Sequence, residues 1–203
     1  MPEPEGRQMT RNLVLASASP RRMELLRQIG IDFHVLPVDL DESMQRGETV
    51  LEHAKRLAIE KARLGYAQVS AQGDDPVVLA ADTVVEIDGD LLGKPRDNRQ
   101  AAAFLSRLSG ETHKVHTAIA VVSGNSELTG ISSSEVEFTE LSVQQIAAYV
   151  ETGEPMDKAG AYAIQGIAAQ FIVNLNGSYS GVMGLPLYET AKLLAASGIH
   201  TGI

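Results

Sequence analysis

The stretch "LASASPRRMELL", residues 15–26, joins a short apolar run to a helical pattern. The apolar run at residues 12–16 predicts a strand. Pro20 is at a suitable first helical position and Gly30 lies beyond the end, which predicts a helix between them. The unit is therefore a strand, a serine-rich turn and a helix. Two adjacent arginines open this helix, at the end where the helix dipole disfavours positive charge.

The turn has the groups that an anion would require. Ser17, Ser19 and the unpaired N–H groups of a helix N-terminus form a concavity suited to an anion. Arg21 and Arg22 would destabilise the helix by themselves, but a polyphosphate in the turn reverses this balance, because guanidinium groups pair bidentately with phosphate oxygens. The alternative is that both arginines are solvated on the helix surface.

The rest of the chain alternates predicted strands and helices. Strands are predicted at residues 31–38, 77–87, 115–122, 135–138 and 169–175, and helices at residues 49–68, 97–108, 142–153 and 185–198. This mixture predicts an α/β fold with a mixed sheet. Hairpin signals, such as "DGD" at residues 88–90, argue against a purely parallel one.

Composition limits the class of protein. A chain of 203 residues is long enough for one compact unit, and no apolar run approaches the roughly 20 residues of a membrane span. With 17 Lys and Arg against 26 Asp and Glu, the formal charge is -9. That charge argues against a general nucleic-acid binder, because such binding needs many basic groups to release counterions. We therefore expect no membrane partner and no nucleic-acid partner.

The chain has no cysteine, which excludes disulfides, thiolate metal sites and cysteine nucleophiles and fits a cytoplasmic protein. The first ten residues, "MPEPEGRQMT", show no secretion signal, and we interpret residues 1–10 as a short disordered leader. Residues 11–203 are then expected to form a single domain.

Asp82 is a second anomaly, because it lies inside the apolar run "VVLAADTVV". Burial of an unpaired carboxylate is expensive, so Asp82 is expected to face a cleft, a metal or a cation. The alternative is an aspartate at a strand end or bulge that caps local backbone. Lys61, Lys94 and Glu42 are weaker candidates: Lys61 could extend along the surface to solvent, and the other two would by default be solvated.

Other common site patterns are missing from the sequence. It contains neither a Walker A motif nor a dinucleotide-binding glycine pattern, and no His spacing suggests zinc. His113 and His116 lie in a strand-like segment and are interpreted as structural.

Taken in order, eight motifs from residue 13 to about residue 194 resemble the Maf family of nucleoside triphosphate pyrophosphatases. They are "LASASPRR", "DES", "KA" at residues 61–62, "AADTVV", "GKP", "SGETHKV", "DKAGAYAIQG" and "NGSYSGVMGLPLYET". The resemblance implies an elongated mixed β-sheet flanked by helices, in two lobes with a central cleft, similar to the inosine triphosphate pyrophosphatases. It agrees with the α/β fold predicted independently.

The resemblance also implies hydrolysis of a nucleoside triphosphate to the monophosphate and pyrophosphate with a divalent metal, Mg²⁺ or Mn²⁺. Asp82 is then the general base, a metal ligand or both. The groups expected around it are the catalytic Lys61 and Lys94, the catalytic and metal-binding Glu42, and the substrate-binding Ser17, Ser19, Arg22 and Ser178.

Three positions match the branch of the family that acts on dTTP and UTP. Arg21 stands where the 7-methyl-GTP branch has Trp, and Thr83 and Gln165 also fit the dTTP/UTP branch. A carboxamide at Gln165 can accept from the N3–H of uracil or thymine and donate to O4, whereas a glutamate could only accept. By resemblance, dTTP, UTP and modified pyrimidine triphosphates are the expected substrates.

The implied physiological role is removal of non-standard nucleotides before polymerases use them, and the family implies a homodimer. The alternative function is regulation of cell division and septum formation through a partner rather than through catalysis. DNA is the poorer partner for that alternative, because the chain is acidic.

Overall fold

Strands and helices alternate along most of the chain in the computed structural model, which describes residues 12–71, 75–124 and 126–201. The strands are β1 (Leu13–Leu15), β2 (His34–Val35), β3 (Val77–Ile87), β4 (Asp90–Leu92), β5 (Thr112–Ser123), β6 (Ser126–Phe138) and β7 (Ile172–Asn176). The α-helices are α1 (Pro20–Gln28), α2 (Val50–Ser70), α3 (Asn98–Leu108), α4 (Val143–Glu151), α5 (Tyr179–Met183) and α6 (Leu187–Ala196).

The described strands form one mixed sheet in the order β2-β1-β3-β5-β6-β7, with β4 also pairing with β3. β1 is parallel to β2 and to β3, whereas the β3–β4, β3–β5, β5–β6 and β6–β7 pairs are antiparallel. The prediction of an α/β fold with a mixed sheet is confirmed.

Local sequence signals explain several element boundaries. Thr49 begins α2 in a capping box with Glu52, and Ser142 begins α4 in the same way with Gln145. The β3–β4 hairpin turns through Asp88-Gly89, where both φ angles are positive, at 55° and 82°. Such turns match the twist of the flanking strands, which explains the "DGD" signal.

Two predicted strands are shorter in the structure. The strand expected at residues 31–38 is reduced to β2, because Ile31 and Phe33 pack into an apolar cluster instead of pairing in the sheet. The strand expected at residues 169–175 begins only at Ile172, after the 3₁₀-helix Ile167–Phe171. Short elements without a full apolar period, including α5 and the 3₁₀-helices Glu154–Asp157 and Ala159–Ala161, were not predicted.

Apolar side chains gather in two lobes joined by β3 and β5. In one lobe, α1 and α6 pack against one face of the sheet and α2 packs against the other. In the other lobe, α3, α4 and the 3₁₀-helices surround the opposite ends of β3 and β5. No helix in the described part of the chain has the length and apolar character needed to cross a membrane. The predicted leader, residues 1–10, lies outside the described residues.

Candidate active site

A gap in the sheet opens a cleft between the lobes. β1 pairs with the start of β3 as far as Leu79, and β4 pairs with its end from Val85 onward. Between these points, no strand among the described residues pairs with this edge of β3. A cleft of about 590 Å³ lies there, and both Asp82 and Thr83 line it.

Asp82 is held by a buried lysine from α2. The two side chains lie on the same face of β3, and Lys61 Nζ donates to Asp82 Oδ1 over 2.7 Å. Only 6% of Asp82 and 8% of Lys61 is exposed. Asp82 is in regular register with Ala118 in mid-strand, so the strand-end alternative is wrong. Lys61 turns into the cleft, so the alternative of an ammonium extended to solvent is also wrong.

Glu42 brings a second carboxylate to the same ammonium. Its Oε1 lies 2.5 Å from Lys61 Nζ, and its Oε2 lies 3.7 Å from Lys94 Nζ. Burial raises the pKa of Glu42, but the hydrogen bond and charge of Lys61, with smaller effects of Lys94 and Arg22, outweigh it and lower the pKa. Glu42 is therefore ionised at neutral pH, although the acidic loop that carries it is exposed.

Arg22 is fixed by acceptors from three parts of the chain. Its Nη1 donates to Ser17 Oγ over 3.2 Å, its Nε to the Gly184 carbonyl over 2.8 Å, and its Nη2 to Thr83 Oγ1 over 3.2 Å. Thr117 Oγ1 donates to a backbone carbonyl of α5, so it accepts from Thr83 Oγ1 at 2.9 Å. Thr83 thereby keeps a lone pair for Arg22.

This arrangement explains the arginine at the helix N-terminus. Burial lowers the pKa of the Arg22 guanidinium below its ordinary value, and the Arg21 charge lowers it further, whereas the Asp82 and Glu42 carboxylates raise it. A partly buried cation is stabilised by such partners. Arg22 is thus not a solvated surface residue, and the alternative raised for it is wrong.

The cleft also contains Ser19, Arg21 and Gln165, so the structure brings together ten of the eleven predicted site residues. Ser19 occupies the N-cap of α1, but its side chain makes no capping hydrogen bond within the described structure. Ser178 lies outside the cleft lining, and its Oγ caps α5 by accepting from Gly181 N over 3.0 Å. Its predicted contact with substrate stays a prediction.

The carboxylates present fit a divalent cation that arrives with a nucleotide. The described residues contain no cluster of three or more His, Asp or Glu side chains able to hold a metal by themselves. Glu42 and Asp82 lie close together, since each binds Lys61 Nζ through one oxygen, and a cation would take their other oxygens. Mg²⁺ typically takes one or two protein carboxylates and completes its coordination with substrate phosphates and water. This donor set therefore suits it.

Two residues of the opposite wall were not predicted. Asp157 and Lys158 line the cleft and form an ion pair with each other. The hydrogen bond from Lys158 is the main influence that lowers the pKa of Asp157, and the charge of Arg21 adds to it from the other wall. Their only sequence signal was the "DKAG" part of a motif, with no spacing that connects it to Arg21.

Comparison with known proteins supports the resemblance. The family model described as Maf-like protein matches residues 12–197. A dTTP/UTP pyrophosphatase of Methylobacillus flagellatus is 52% identical over 191 residues, 94% of each chain. One of Symbiobacterium thermophilum is 49% identical over 192 residues, which cover 94% of this chain and 97% of the relative.

Among solved structures, a nucleoside-triphosphatase / dITP/XTP pyrophosphatase from Mycobacterium abscessus is 17% identical, with a TM-score of 0.42 over 64% of this chain and 75% of the other. The family model spans nearly the whole described region, and the two relatives match at about half of their positions along the same length. By this evidence the chain belongs to the Maf family.

Proposed function

We propose that the protein hydrolyses dTTP and UTP to the nucleoside monophosphate and pyrophosphate. The observation that carries the proposal is the convergence of Asp82 and Glu42 on Lys61, next to Arg22, in one cleft. An acidic chain thus presents a local cluster of cations and carboxylates suited to a metal-bound polyphosphate. Relatives about half identical over nearly the whole chain are named dTTP/UTP pyrophosphatases, which supports the same activity.

The triphosphate would lie over the turn at residues 17–22. Arg22, Lys61 and Lys94 would neutralise its oxygens, so most of the rate comes from positioning and charge compensation. A divalent cation, Mg²⁺ or Mn²⁺, would be held by Glu42 and Asp82 and would supply further compensation of phosphate charge.

Asp82 would orient a water molecule and accept its proton as the water oxygen attacks the α-phosphorus in line. The new bond joins that oxygen to the α-phosphorus. The bond from the α-phosphorus to the oxygen bridging to the β-phosphorus breaks, and pyrophosphate leaves with the electron pair. The hydrogen bond from Lys61 Nζ holds the Asp82 carboxylate in position for the transfer.

Base selection is assigned to the side of the cleft that carries Gln165. Its carboxamide would accept from N3–H and donate to O4 of thymine or uracil. Arg21 and Thr83 also line the cleft, and we assign both to selection because they match the dTTP/UTP branch. Gln165→Glu removes the donor for O4, so it should weaken hydrolysis of dTTP and UTP more than it changes stability.

The test measures pyrophosphate release by the purified protein with Mg²⁺ or Mn²⁺ from a panel of triphosphates. The panel contains the natural nucleotides and two modified pyrimidines, pseudouridine and 5-methyluridine triphosphates. We expect dTTP, UTP and the modified pyrimidines to be preferred, and Asp82→Asn to abolish turnover while the fold is retained. Near-normal dTTP turnover by a folded Asp82→Asn variant would disprove the mechanism.

The physiological role that follows is removal of non-standard nucleotides in the cytoplasm, by a protein that we expect to be a homodimer. The cleft supports catalysis over the alternative of a cell-division regulator that acts through a partner, because its charged groups converge on a space of nucleotide dimensions. Pyrophosphate release distinguishes the two functions, whereas a division phenotype would not.

A further inference from the structure

The segment that carries Gln165 is irregular but tightly held. We name residues 163–168, "AIQGIA", the Gln165 loop. Gln165 itself is exposed at the cleft, whereas Ala163 and Ile164 before it and Ala168 after it are buried. A side chain that selects a base must be held in place, because errors of about 1 Å in position can cost about 100-fold in rate. The contacts behind the loop therefore affect selectivity.

Glu154 supplies contacts on the C-terminal side of the loop. Its Oε2 accepts from the Ile167 backbone amide over 3.0 Å, and its Oε1 accepts more weakly from Ala168 N over 3.4 Å. One carboxylate thus fixes two consecutive peptide groups that directly follow the loop's glycine. Charge-assisted hydrogen bonds of this kind are stronger than neutral ones.

Gly166 shows how closely the carboxylate approaches the loop. A Cβ at this position would lie 2.4–2.6 Å from the Glu154 carboxyl atoms, which is closer than such atoms can come. A side chain next to Gln165 would therefore displace the Glu154 carboxylate from the position in which it binds the loop amides.

Tyr149 orients the carboxylate from α4. Its hydroxyl donates to Glu154 Oε1 over 2.8 Å. The residue is 2% exposed, and its ring meets Phe171 edge to face at 5.4 Å between centroids. Burial raises the pKa of the Tyr149 phenol, and the hydrogen bond and charge of Glu154 raise it further. The phenol therefore stays protonated and remains a donor to Glu154.

We infer that Glu154 is a positioning residue for base selection: held by Tyr149, it fixes the backbone of the Gln165 loop so that the Gln165 carboxamide faces the base. The inference rests on the proposed function for its kinetic consequence. Glu154 is outside the cleft lining, and it acts on the substrate only through the loop.

The kinetic test compares Glu154→Ala, Gln165→Ala and the double variant on dTTP, UTP and dCTP. Glu154→Ala should raise KM for dTTP and UTP about tenfold with a smaller change in kcat, because it removes binding remote from the reacting atoms. Its preference for dTTP over dCTP should fall as in Gln165→Ala. The double variant should lose no more than the worse single variant. Losses that multiply in the double variant would overturn the inference.

Conservative variants keep the test valid if Glu154→Ala does not fold. Glu154→Gln retains one oxygen to accept from the loop but loses the second, so its increase in KM should be intermediate. Tyr149→Phe keeps the ring and removes only the donor, and it should change KM in the same direction. Glu151→Gln, an exposed carboxylate in the same region, is the matched control and should behave as wild type. Wild-type KM in both Glu154→Gln and Tyr149→Phe would contradict the inference.

Amide hydrogen exchange tests the contact independently of any activity. In Glu154→Gln, exchange at Ile167 and Ala168 should be at least about tenfold faster than in wild type, while β3 amides keep their protection. Unchanged exchange at both amides would overturn the inference even if dTTP hydrolysis is confirmed. If the wild type shows no preference for dTTP and UTP, the proposed base preference fails, and faster exchange still supports the role of Glu154 in fixing the loop.

Discussion

Lys61 Nζ lies 2.7 Å from Asp82 Oδ1, and both groups are almost completely buried. The same ammonium lies 2.5 Å from Glu42 Oε1, so one cation compensates two carboxylates. Removal of one member of a buried ion pair is more damaging than replacement of both, because the remaining charge loses its partner without recovering water. Lys61 is thus important for both stability and chemistry.

We expect Lys61→Met to lower activity by about 100-fold, because a cation facing the phosphates is lost. It should also lower the free energy of unfolding by about 3 kcal/mol, because Asp82 is left uncompensated. Adding Asp82→Asn should restore part of this stability without activity. Urea denaturation and pyrophosphate release measure the two effects. Lys55→Met, an exposed position on the same helix, should change neither. A double variant less stable than Lys61→Met would contradict this account.

Arg22→Lys tests whether charge alone is sufficient at the start of α1. The guanidinium donates in three directions, to Ser17, Thr83 and the Gly184 carbonyl, and an ammonium cannot reproduce that geometry. We expect KM for the triphosphate to rise about tenfold and stability to fall by about 1 kcal/mol. Steady-state kinetics and thermal unfolding measure these effects. Arg27→Lys in the last turn of the same helix is the control, and equal effects at both positions would refute the prediction.

Gly160→Ala should destabilise the protein by about 3 kcal/mol, because backbone strain at a positive φ adds to a steric clash of the new methyl group. Gly160 has φ +69°, and an added Cβ would approach the Val85 side chain to 2.8 Å. Gly89→Ala is the matched control: its φ is +82°, and an added Cβ would meet nothing within 4 Å. The free energy of unfolding of that variant should fall by about 1 kcal/mol, because only the backbone strain at positive φ applies. Equal losses in chemical denaturation would show that packing against Val85 contributes nothing.

His113 should make stability depend on pH. Burial lowers the pKa of His113 from 6.5 to about 4. As the pH falls below 6.5, the unfolded chain binds a proton that the folded protein binds only near pH 4. The free energy of unfolding therefore decreases through this window, by about 3 kcal/mol in total.

The corresponding variant is His113→Gln, which cannot titrate and can still form a hydrogen bond with Tyr162, now 2.8 Å from His113 Nε2. Its unfolding free energy should vary less between pH 6.5 and pH 4 than that of the wild type or of the exposed control His34→Gln. Parallel pH profiles for all three proteins would contradict the assignment.

Much of the fold could be predicted because the deciding signals are local. The apolar run between "DDP" and "DG" marks β3, and Asp97 and Ser142 mark the starts of α3 and α4 through their caps. The predicted strand at residues 31–38 was too long, because apolar residues there pack against the sheet rather than pair within it. Alternation alone does not distinguish these two outcomes.

The candidate site was predictable only in part, because only residues that are unusual within their own segment give a local signal. Asp82 and Arg22 are anomalous in their own segments, so each pointed to a partner. Lys94 and Glu42 looked like ordinary surface charges, and only the resemblance connected them. The contacts of Glu154 with residues 167 and 168 join positions 13 and 14 residues apart within irregular structure, where no periodic pattern exists to reveal them.

The two long strands β3 and β5 have a mechanical consequence. Both strands run from one lobe into the other, and they are paired with each other from Val78 to Glu86 of β3. The two lobes are therefore connected by hydrogen-bonded strands. The two lobes can shift slightly through changes in sheet twist. A large rotation of one lobe relative to the other would break the hydrogen bonds between β3 and β5. The positions of the groups that β3 carries into the cleft, such as Asp82, are therefore set before a nucleotide binds.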